Sequence, residues 1–498
     1  MFFSRLSTNQ SLFILISVSL ATKLIMAHVL PITGDEAYFI LWGKHPDYGF
    51  YDHPPMVGWW LTALMKVSEA PVWLRMPTIL GTTLIGWVIY KLVYPRGKSN
   101  ALIAAGLYWL APVNLIAPFI TTDTPLIIFA FFSAVCFYKA QRHDALGWYF
   151  VSGLLLGAAF FSKFFAGMLG IAYLAYLILF VRRGWRPYRG IVVLLIGVAP
   201  FIALNLYWNY QHCWDNYLFN LENRTSDFSL SSMKPLVYAL ILLYLITPPV
   251  IFYIFRRPGE VLTVLRNGGL GLFLALFLIP VVLFIPLSFG KNIGLHWLLS
   301  FYPFLFIATV LLLHFGQLRV CFYFMWGFSL LHLLAFGVVW YLSPGIFSHQ
   351  GKLYQELVFG MDTRELLKLT EPYRYDFPLA TPSYSQSALL DYHSGKHVLV
   401  FGGGSYHARQ DDILTDYAKL NKQGIAILSF KSDVSQYAKY FESFTHIIIP
   451  FKGTQFHLGI GIGFKYDLYK QQVIEPVKQK YYRIPAWLPK GPCYMDAR

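Results

Sequence analysis

Charged residues are scarce in this 498-residue chain: they occupy 13% of the positions, whereas 56% are hydrophobic and 18% are aromatic. This scarcity excludes both an ordinary water-soluble globular protein and a disordered chain, because each of those needs many more charged or polar residues. The same values are typical of a polytopic membrane protein. Acidic residues are fewer than basic ones, with 25 Asp and Glu against 40 Lys and Arg.

The basic excess does not indicate nucleic acid as a partner. Lys and Arg lie in short clusters between apolar runs, such as Arg182 to Arg189, and such clusters set the orientation of membrane proteins. With a cytoplasmic N-terminus, fourteen basic residues fall on the inner side and seven on the outer side up to residue 342. The bias favours a cytoplasmic N-terminus and places Asp35 on the outer face of the membrane.

Eleven apolar runs predict membrane crossings, each of which takes about 20 helical residues. The first is interpreted as a retained membrane helix, because no small-residue cleavage site follows it. The apolar stretch from Gly147 to Val181 lies between two basic flanks, so we interpret it as a hairpin of two short helices with Lys163 at the outer turn. A lysine that only snorkels to the interface is the alternative. The predicted crossings are 11–31, 72–93, 101–119, 124–139, 147–162, 165–181, 190–208, 236–255, 270–288, 298–316 and 320–342.

The composition changes after residue 342, where acids become common and strand-like segments alternate with amphipathic stretches. This pattern predicts a small α/β domain, which an odd number of crossings places outside the cytoplasm. Gly402 to Ser405 after a strand indicates a tight turn, and Gly459 to Gly463 indicates a strand whose glycine face other backbone approaches closely. The predicted fold is a membrane α-helical bundle in 1–342 followed by a periplasmic α/β domain in 343–498.

The chain has only four cysteines, which fall into two pairs by environment. Cys136 and Cys321 lie in apolar runs, where a cysteine is usually a small buried hydrophobe. Cys213 and Cys493 lie outside the predicted crossings. The sequence leaves a disulfide between them open, because it gives no distance.

The segment from Gly34 to Met56 concentrates the polar chemistry of the membrane part. Asp35 and Glu36 end the first apolar run, and Tyr51-Asp52-His53-Pro54-Pro55 follows. Because a charge at the bilayer centre costs roughly 2.5 to 3.5 kcal/mol, this segment should lie at or beyond the membrane surface. Asp123, with Pro125 after it, has the pattern of a helix N-cap that can also face the site of Asp35.

These acids and nearby cations suit transfer from a lipid phosphate. A carboxylate can take a proton from an incoming hydroxyl or amine, and cations or an acid-bound metal can stabilise a departing phosphate. The order Asp35-Glu36-Ala37-Tyr38, Tyr51 to Pro55, Arg75-Met-Pro, Thr122-Asp123-Thr-Pro-Leu, Ser162-Lys163, and His296 to Pro303 resembles the C-type membrane glycosyltransferases. It is most similar to the bacterial branch related to the protein O-mannosyltransferases and the lipid A aminoarabinose transferases.

The resemblance implies an inverting transferase that uses a polyprenyl-phosphate sugar donor on the periplasmic side, with a lipid, glycan or protein acceptor. It implies Asp35 as the base and Asp123 as a second acid of the site. Lys163 and Arg75 would contact the donor phosphate, and Glu36, Tyr38 and His53 would contact the substrate. A divalent metal ion is left open, since some members of the group bind one.

A secondary transporter or flippase of a lipid-linked or anionic substrate is the alternative from another class. Transporters place their binding charges near the bilayer midplane on broken helices, often in repeated halves. Here the acids cluster at outer helix ends and no matching halves are found. An assembly protein whose tail binds partners is a third interpretation, but it leaves the acids near Asp35 without a task.

Overall fold

Apolar helices dominate the chain, as its composition predicts. The computed structural model describes residues 7–181, 186–223, 229–342, 344–349, 351–374, 376–403 and 410–496, so Arg182, Arg183, Gly404 and Ser405 lie outside the described residues. The helices up to residue 341 are α1 (Thr8–Val29), α2 (Gly34–Lys44), α3 (Met56–Met65), α4 (Pro71–Leu74), α5 (Met76–Val93), α6 (Lys98–Leu110), α7 (Pro112–Leu115), α8 (Asp123–His143), α9 (Leu146–Phe160), α10 (Ala166–Phe180), α11 (Arg186–Gln211), α12 (Asp215–Tyr217), α13 (Met233–Ile246), α14 (Pro248–Phe255), α15 (Pro258–Arg266), α16 (Gly271–Ser288), α17 (Tyr302–Leu312) and α18 (Phe315–Tyr341). Those that follow are α19 (Gly351–Arg374), α20 (Tyr384–Ser394), α21 (Gln410–Leu414), α22 (Tyr466–Tyr469) and α23 (Glu475–Tyr481).

Each predicted crossing coincides with a helix or a pair of helices. Within the described residues, six helices are long and apolar enough to cross a bilayer, namely α1, α5 with its extension to Arg96, α8, α11 from Tyr188, α16 and α18. The polytopic membrane fold is thus confirmed, and the count of eleven crossings stays a prediction.

Prolines break two of the predicted crossings. The run 236–255 forms α13 and α14, which meet at an angle of 98°. Thr247 at the bend has a φ of +72°, and Pro248 and Pro249 follow it. Because proline disfavours the α conformation in the preceding residue, the helix ends there. Pro112 separates α6 from α7 in the same way.

The chain forms two compact units. The first contains the described residues of 1–30, 68–204 and 227–337, which include most of the apolar helices. The second combines 31–67, 205–226 and 338–498, so it joins the acidic segment to a short stretch after α11 and to the tail. The functional division into 1–342 and 343–498 stays a prediction.

The tail contains a five-stranded mixed sheet. Its strands are β1 (Leu379–Thr381), β2 (Leu399–Val400), β3 (Ile425–Ser429), β4 (Ser443–Phe451) and β5 (Thr454–Ile462), in the spatial order β2-β1-β3-β5-β4. β1 is parallel to β2 and to β3, whereas β5 is antiparallel to β3 and β4. Helices lie between several of the strands in the sequence, in agreement with the predicted strand-helix alternation.

The glycine-rich strand was predicted correctly, but the partner of its glycine face was not. Gly459 and Gly461 lie in β5. A Cβ at Gly459 would stand 2.3 Å from the Phe444 ring, and one at Gly461 would stand 2.4 Å from the Phe441 ring. The glycine face of β5 is therefore covered by aromatic rings and not by the backbone that was predicted. Without a side chain, each glycine leaves a space that a phenyl ring fills.

A disulfide between Cys213 and Cys493 links two parts of the second unit across a sequence separation of 280 residues. Neighbouring hydrogen bonds support the same junction. The Trp214 indole N–H donates to the Pro489 carbonyl at 2.9 Å, and the Tyr494 hydroxyl donates to the Asp215 carboxylate at 2.8 Å. The stretch after α11 is thereby tied to the end of the tail.

We expect that replacing Cys213 and Cys493 together by serine lowers the free energy of unfolding by about 2–4 kcal/mol, because the unfolded chain regains the freedom that the bond removes. Thermal unfolding in detergent measures the loss. As a control on the pairing, alkylation of the denatured, unreduced protein should label Cys136 and Cys321 only. Labelling of Cys213 in the wild-type protein would contradict the bond.

His397 lies between two carboxylates of the second unit. Its Nδ1 is 3.5 Å from Asp391 and its Nε2 is 3.2 Å from Asp411, while Lys44 approaches Asp391 at 3.0 Å. Burial disfavours the charged imidazole, but the hydrogen bonds and charges of the two carboxylates outweigh it and raise the pKa of His397 to about 9.

A raised pKa in the folded state stabilises the protein fully below the unfolded value, about 6.5, and the contribution is lost as the pH rises through about 9. We therefore expect the thermal unfolding midpoint of the wild type to fall between pH 7 and 10 more steeply than that of His397→Gln. The exposed His349 supplies the control, since His349→Gln should keep the wild-type slope. Equal slopes in the wild type and His397→Gln would refute this account.

Candidate catalytic site

The first turn of α2 assigns different partners to the two adjacent acids. Thr33 is the N-cap, and its hydroxyl accepts the Glu36 N–H at 3.2 Å. The Glu36 carboxylate in return accepts the Thr33 N–H at 3.1 Å. This reciprocal capping box satisfies two N–H groups that no carbonyl of the helix can reach. Glu36 is only 1% exposed, so its carboxylate is committed to the helix start.

Asp35 faces the tail instead. The residue is exposed at its surface, and Tyr384 of α20 is its neighbour on the inner side. Burial on that side raises the pKa of Asp35, and the nearby Glu36 charge adds to the rise, while the Tyr384 hydroxyl, a hydrogen-bond donor, opposes it. An exposed carboxylate with a raised pKa has more proton affinity than an ordinary aspartate, which is what a general base needs.

Tyr38 lies beside this pair and is buried. Its hydroxyl donates to Asp52 at 3.5 Å and accepts the Gln410 N–H at 3.3 Å. Its ring meets the Tyr384 ring edge to face, with centroids 4.8 Å apart. Asp35, Tyr384, Tyr38 and Asp52 therefore form one connected polar cluster in the second unit.

The loop that carries His53 is held through its backbone. The Asn216 side-chain amide donates to the carbonyls of Phe50 and Tyr51, the second at 3.1 Å, and Asn220 donates to the carbonyl of Asp52 at 3.0 Å. His53 is half-buried, and its ring lies 6.1 Å from that of Trp42. Nothing local in the sequence points to the two asparagines, because their partners are about 165 residues away in the chain.

Asp123 and Lys163 meet in the first unit. The Lys163 ammonium donates to both carboxylate oxygens of Asp123, at 2.9 and 3.1 Å, and the two side chains are 7% and 13% exposed. Lys163 lies in the break between α9 and α10, as the predicted hairpin requires. Asp123 is the first residue of α8 and not its N-cap, because Thr122 occupies that position. The lysine draws the carboxylate away from the helix N–H groups.

Arg75 is fully buried at the end of α1. Its guanidinium donates to the carbonyls of Ala27 and Leu30, each at 2.8 Å, and stacks 5.7 Å from the centre of the Phe119 ring. A cation at this position satisfies the last carbonyls of a helix and opposes its dipole. These contacts give Arg75 a structural task, and its predicted contact with a donor phosphate stays a prediction.

The described residues contain no group of three or more His, Cys, Asp and Glu side chains that could hold a metal ion. The two acids of α2 diverge toward Thr33 and Tyr384, so they do not form a chelating pair.

Breaking the Asp123–Lys163 pair should be costly. We expect Asp123→Asn to lower the free energy of unfolding by about 3–5 kcal/mol, because it leaves a buried ammonium without its counter-charge. The double variant Asp123→Asn with Lys163→Met should lose less than the sum of the two single variants. Unfolding midpoints in a double-mutant cycle measure the coupling. Strictly additive losses would contradict a direct interaction.

Comparison with known proteins shows which proteins the chain resembles. Residues 52–208 match the family model described as dolichyl-phosphate-mannose-protein mannosyltransferase. The match contains His53, Arg75, Asp123 and Lys163, whereas Asp35 precedes it. The resemblance to the C-type membrane glycosyltransferases inferred from the motifs is confirmed.

Two particular proteins extend this similarity. A stretch of 183 residues is 27% identical to the lipid A galacturonosyltransferase RgtD of Rhizobium johnstonii, covering 36% of this chain and 38% of that protein. The chain is thus aligned with little more than a third of that relative. The crystal structure of ArnT from Cupriavidus metallidurans bound to undecaprenyl phosphate superposes with a TM-score of 0.60 at 13% identity, covering 90% of this chain and 97% of that one. At this identity the superposition shows a shared fold.

Proposed function

We propose that the protein is an inverting glycosyltransferase that moves a sugar from a polyprenyl-phosphate donor to a lipid, glycan or protein acceptor at the periplasmic side of the inner membrane. The observation that carries this proposal is Asp35, an exposed carboxylate of raised pKa at the start of α2. The printed names of the similar proteins support the class of donor and reaction.

The reaction is a single displacement at the anomeric carbon. Asp35 takes the proton of the acceptor hydroxyl or amine as the acceptor atom bonds to that carbon. The bond from the anomeric carbon to the phosphate oxygen breaks, and the polyprenyl phosphate leaves with the electron pair. One displacement inverts the anomeric configuration, which is why a single base is enough.

Lys163 is the proposed contact for the donor phosphate, with Asp123 holding its ammonium in place. A pre-oriented cation stabilises the charge that develops on the leaving phosphate. Arg75 stabilises the end of α1. The resemblance also makes its guanidinium the second candidate for contact with the donor phosphate. Substrate contacts by Tyr38 and His53 also rest on the resemblance, whereas the capping box assigns Glu36 to the start of α2.

The periplasmic location rests on two independent observations. A disulfide joins Cys213 and Cys493 in the second unit, and disulfides persist mainly in oxidising compartments. The excess of basic residues on one side of the predicted crossings supports a cytoplasmic N-terminus, and the odd number of predicted crossings then supports the outer side for the tail.

The two acids of α2 supply a matched pair of variants. We expect Asp35→Asn to lower kcat by about 10²–10⁴-fold, because the variant cannot accept the acceptor proton. Glu36→Gln should keep most of kcat and lose about 1 kcal/mol of stability through its weakened cap. The measurement is transfer of labelled sugar from a panel of polyprenyl-phosphate sugars by the purified protein in lipid.

Equal loss of kcat in both variants would remove Asp35 as the base. If no donor of the panel is consumed while sealed vesicles containing the protein take up a lipid-linked or anionic substrate, the transporter interpretation replaces the transferase.

A further inference from the structure

The tail contributes one side chain to the surroundings of the proposed base. Tyr384, the first residue of α20, is a neighbour of Asp35, and its ring contacts that of Tyr38, one turn further along α2. These residues all lie within the second unit, and a catalytic task for Tyr384 rests on the proposed role of Asp35.

The position of Tyr384 is fixed from both sides. A Cβ at Gly34 would stand 2.9 Å from the Ser385 Cβ, so only glycine lets the start of α2 approach the start of α20 this closely. On the other side, the Ser387 hydroxyl bonds Thr381 of β1 and donates to the Leu399 carbonyl of β2, each at 2.8 Å. The first turn of α20 is thus anchored to the sheet.

The ring of Tyr384 is also oriented. It packs edge to face on Tyr38, whose hydroxyl is held by the Gln410 N–H and by Asp52. Tyr38 therefore acts as a fixed surface against which the phenol of Tyr384 rests. Asp35 lies one turn before Tyr38 on the same side of α2, so a hydroxyl on a ring held in this way is placed to donate to the Asp35 carboxylate.

The phenol hydroxyl of Tyr384 can donate a hydrogen bond over the whole physiological pH range. Burial, followed by the charges of Asp35 and Asp52, raises the pKa of Tyr384 above its ordinary value, so the hydroxyl keeps its proton throughout the physiological range. A donor of this kind favours the ionised form of a carboxylate and fixes its plane. Ionised and oriented is the state in which an aspartate accepts a proton.

We infer that Tyr384 is a positioning residue of the transfer reaction, which holds the Asp35 carboxylate in its reactive orientation and makes the C-terminal unit part of the catalytic machinery. The soluble tail would then be required for the chemical step itself, in addition to any contact with the acceptor.

Two measurements on Tyr384→Phe test the inference, since the phenyl ring keeps the packing on Tyr38. The first is the pH profile of kcat/KM with the active donor, where loss of the donor should move the acidic limb up by about one pH unit and lower kcat at neutral pH. Activity should recover partly at higher pH. Tyr373→Phe, which changes an exposed tyrosine of α19, should keep the wild-type profile.

The second measurement does not need the substrate. A carbodiimide modifies a protonated carboxyl, and peptide mapping with fragmentation separates position 35 from position 36. The midpoint of Asp35 modification should likewise rise by about one pH unit in Tyr384→Phe. If that variant is poorly folded, Tyr384→Gln, which retains a neutral donor, should keep the midpoint at or slightly above the wild-type value and above that of an unfolded control.

The outcomes separate the two proposals. Shifts in both measurements support the inference, whereas an unchanged carbodiimide midpoint, or a kcat that falls equally at all pH values, overturns it. If the wild type transfers no sugar, the proposed function fails, and the carbodiimide midpoint alone then decides whether Tyr384 positions Asp35.

Discussion

The free N–H groups at the start of α2 are the constraint on which the proposed site depends. A helix start leaves these donors without carbonyl partners, and burying them without acceptors is costly. Thr33 and Glu36 supply the acceptors, which commits one of the two adjacent acids to the helix. Asp35 lies about 100° further round the helix and is thereby left for other chemistry. The pair Asp-Glu is then one structural acid and one candidate base.

The second unit is assembled from three stretches that lie far apart in the sequence. Asn216 and Asn220 hold the loop of Phe50 to Asp52 by its carbonyls, and the disulfide ties their own segment to the end of the tail. The two asparagines bind the backbone of this loop, so they stabilise its conformation. The proposed transfer reaction needs a well-positioned loop near its base.

The sequence predicted the membrane helices well because apolar runs depend only on local composition. It also contained the capping box, because Thr33 is followed three residues later by Glu36. Both acids of α2 were nevertheless interpreted as site residues. The pairing of Asp123 with Lys163 was missed although both residues were selected, because spacing along a helical hairpin does not reveal which charges meet. Tyr384 could not have been found, since nothing local connects it with Asp35.

The pairing of Lys163 with Asp123 also explains how a buried cation, the proposed contact of the donor phosphate, is kept in place before any donor binds. An unpaired ammonium that is only 7% exposed would lose most of its hydration without a compensating interaction. In the ion pair, the Asp123 carboxylate compensates this loss and the net charge is zero. When a phosphate approaches, the ammonium can share its protons between the Asp123 carboxylate and the new anion without leaving its position. The same pair therefore serves stability in the empty protein and charge stabilisation in the proposed reaction, which is why an acid beside a phosphate site is not a contradiction.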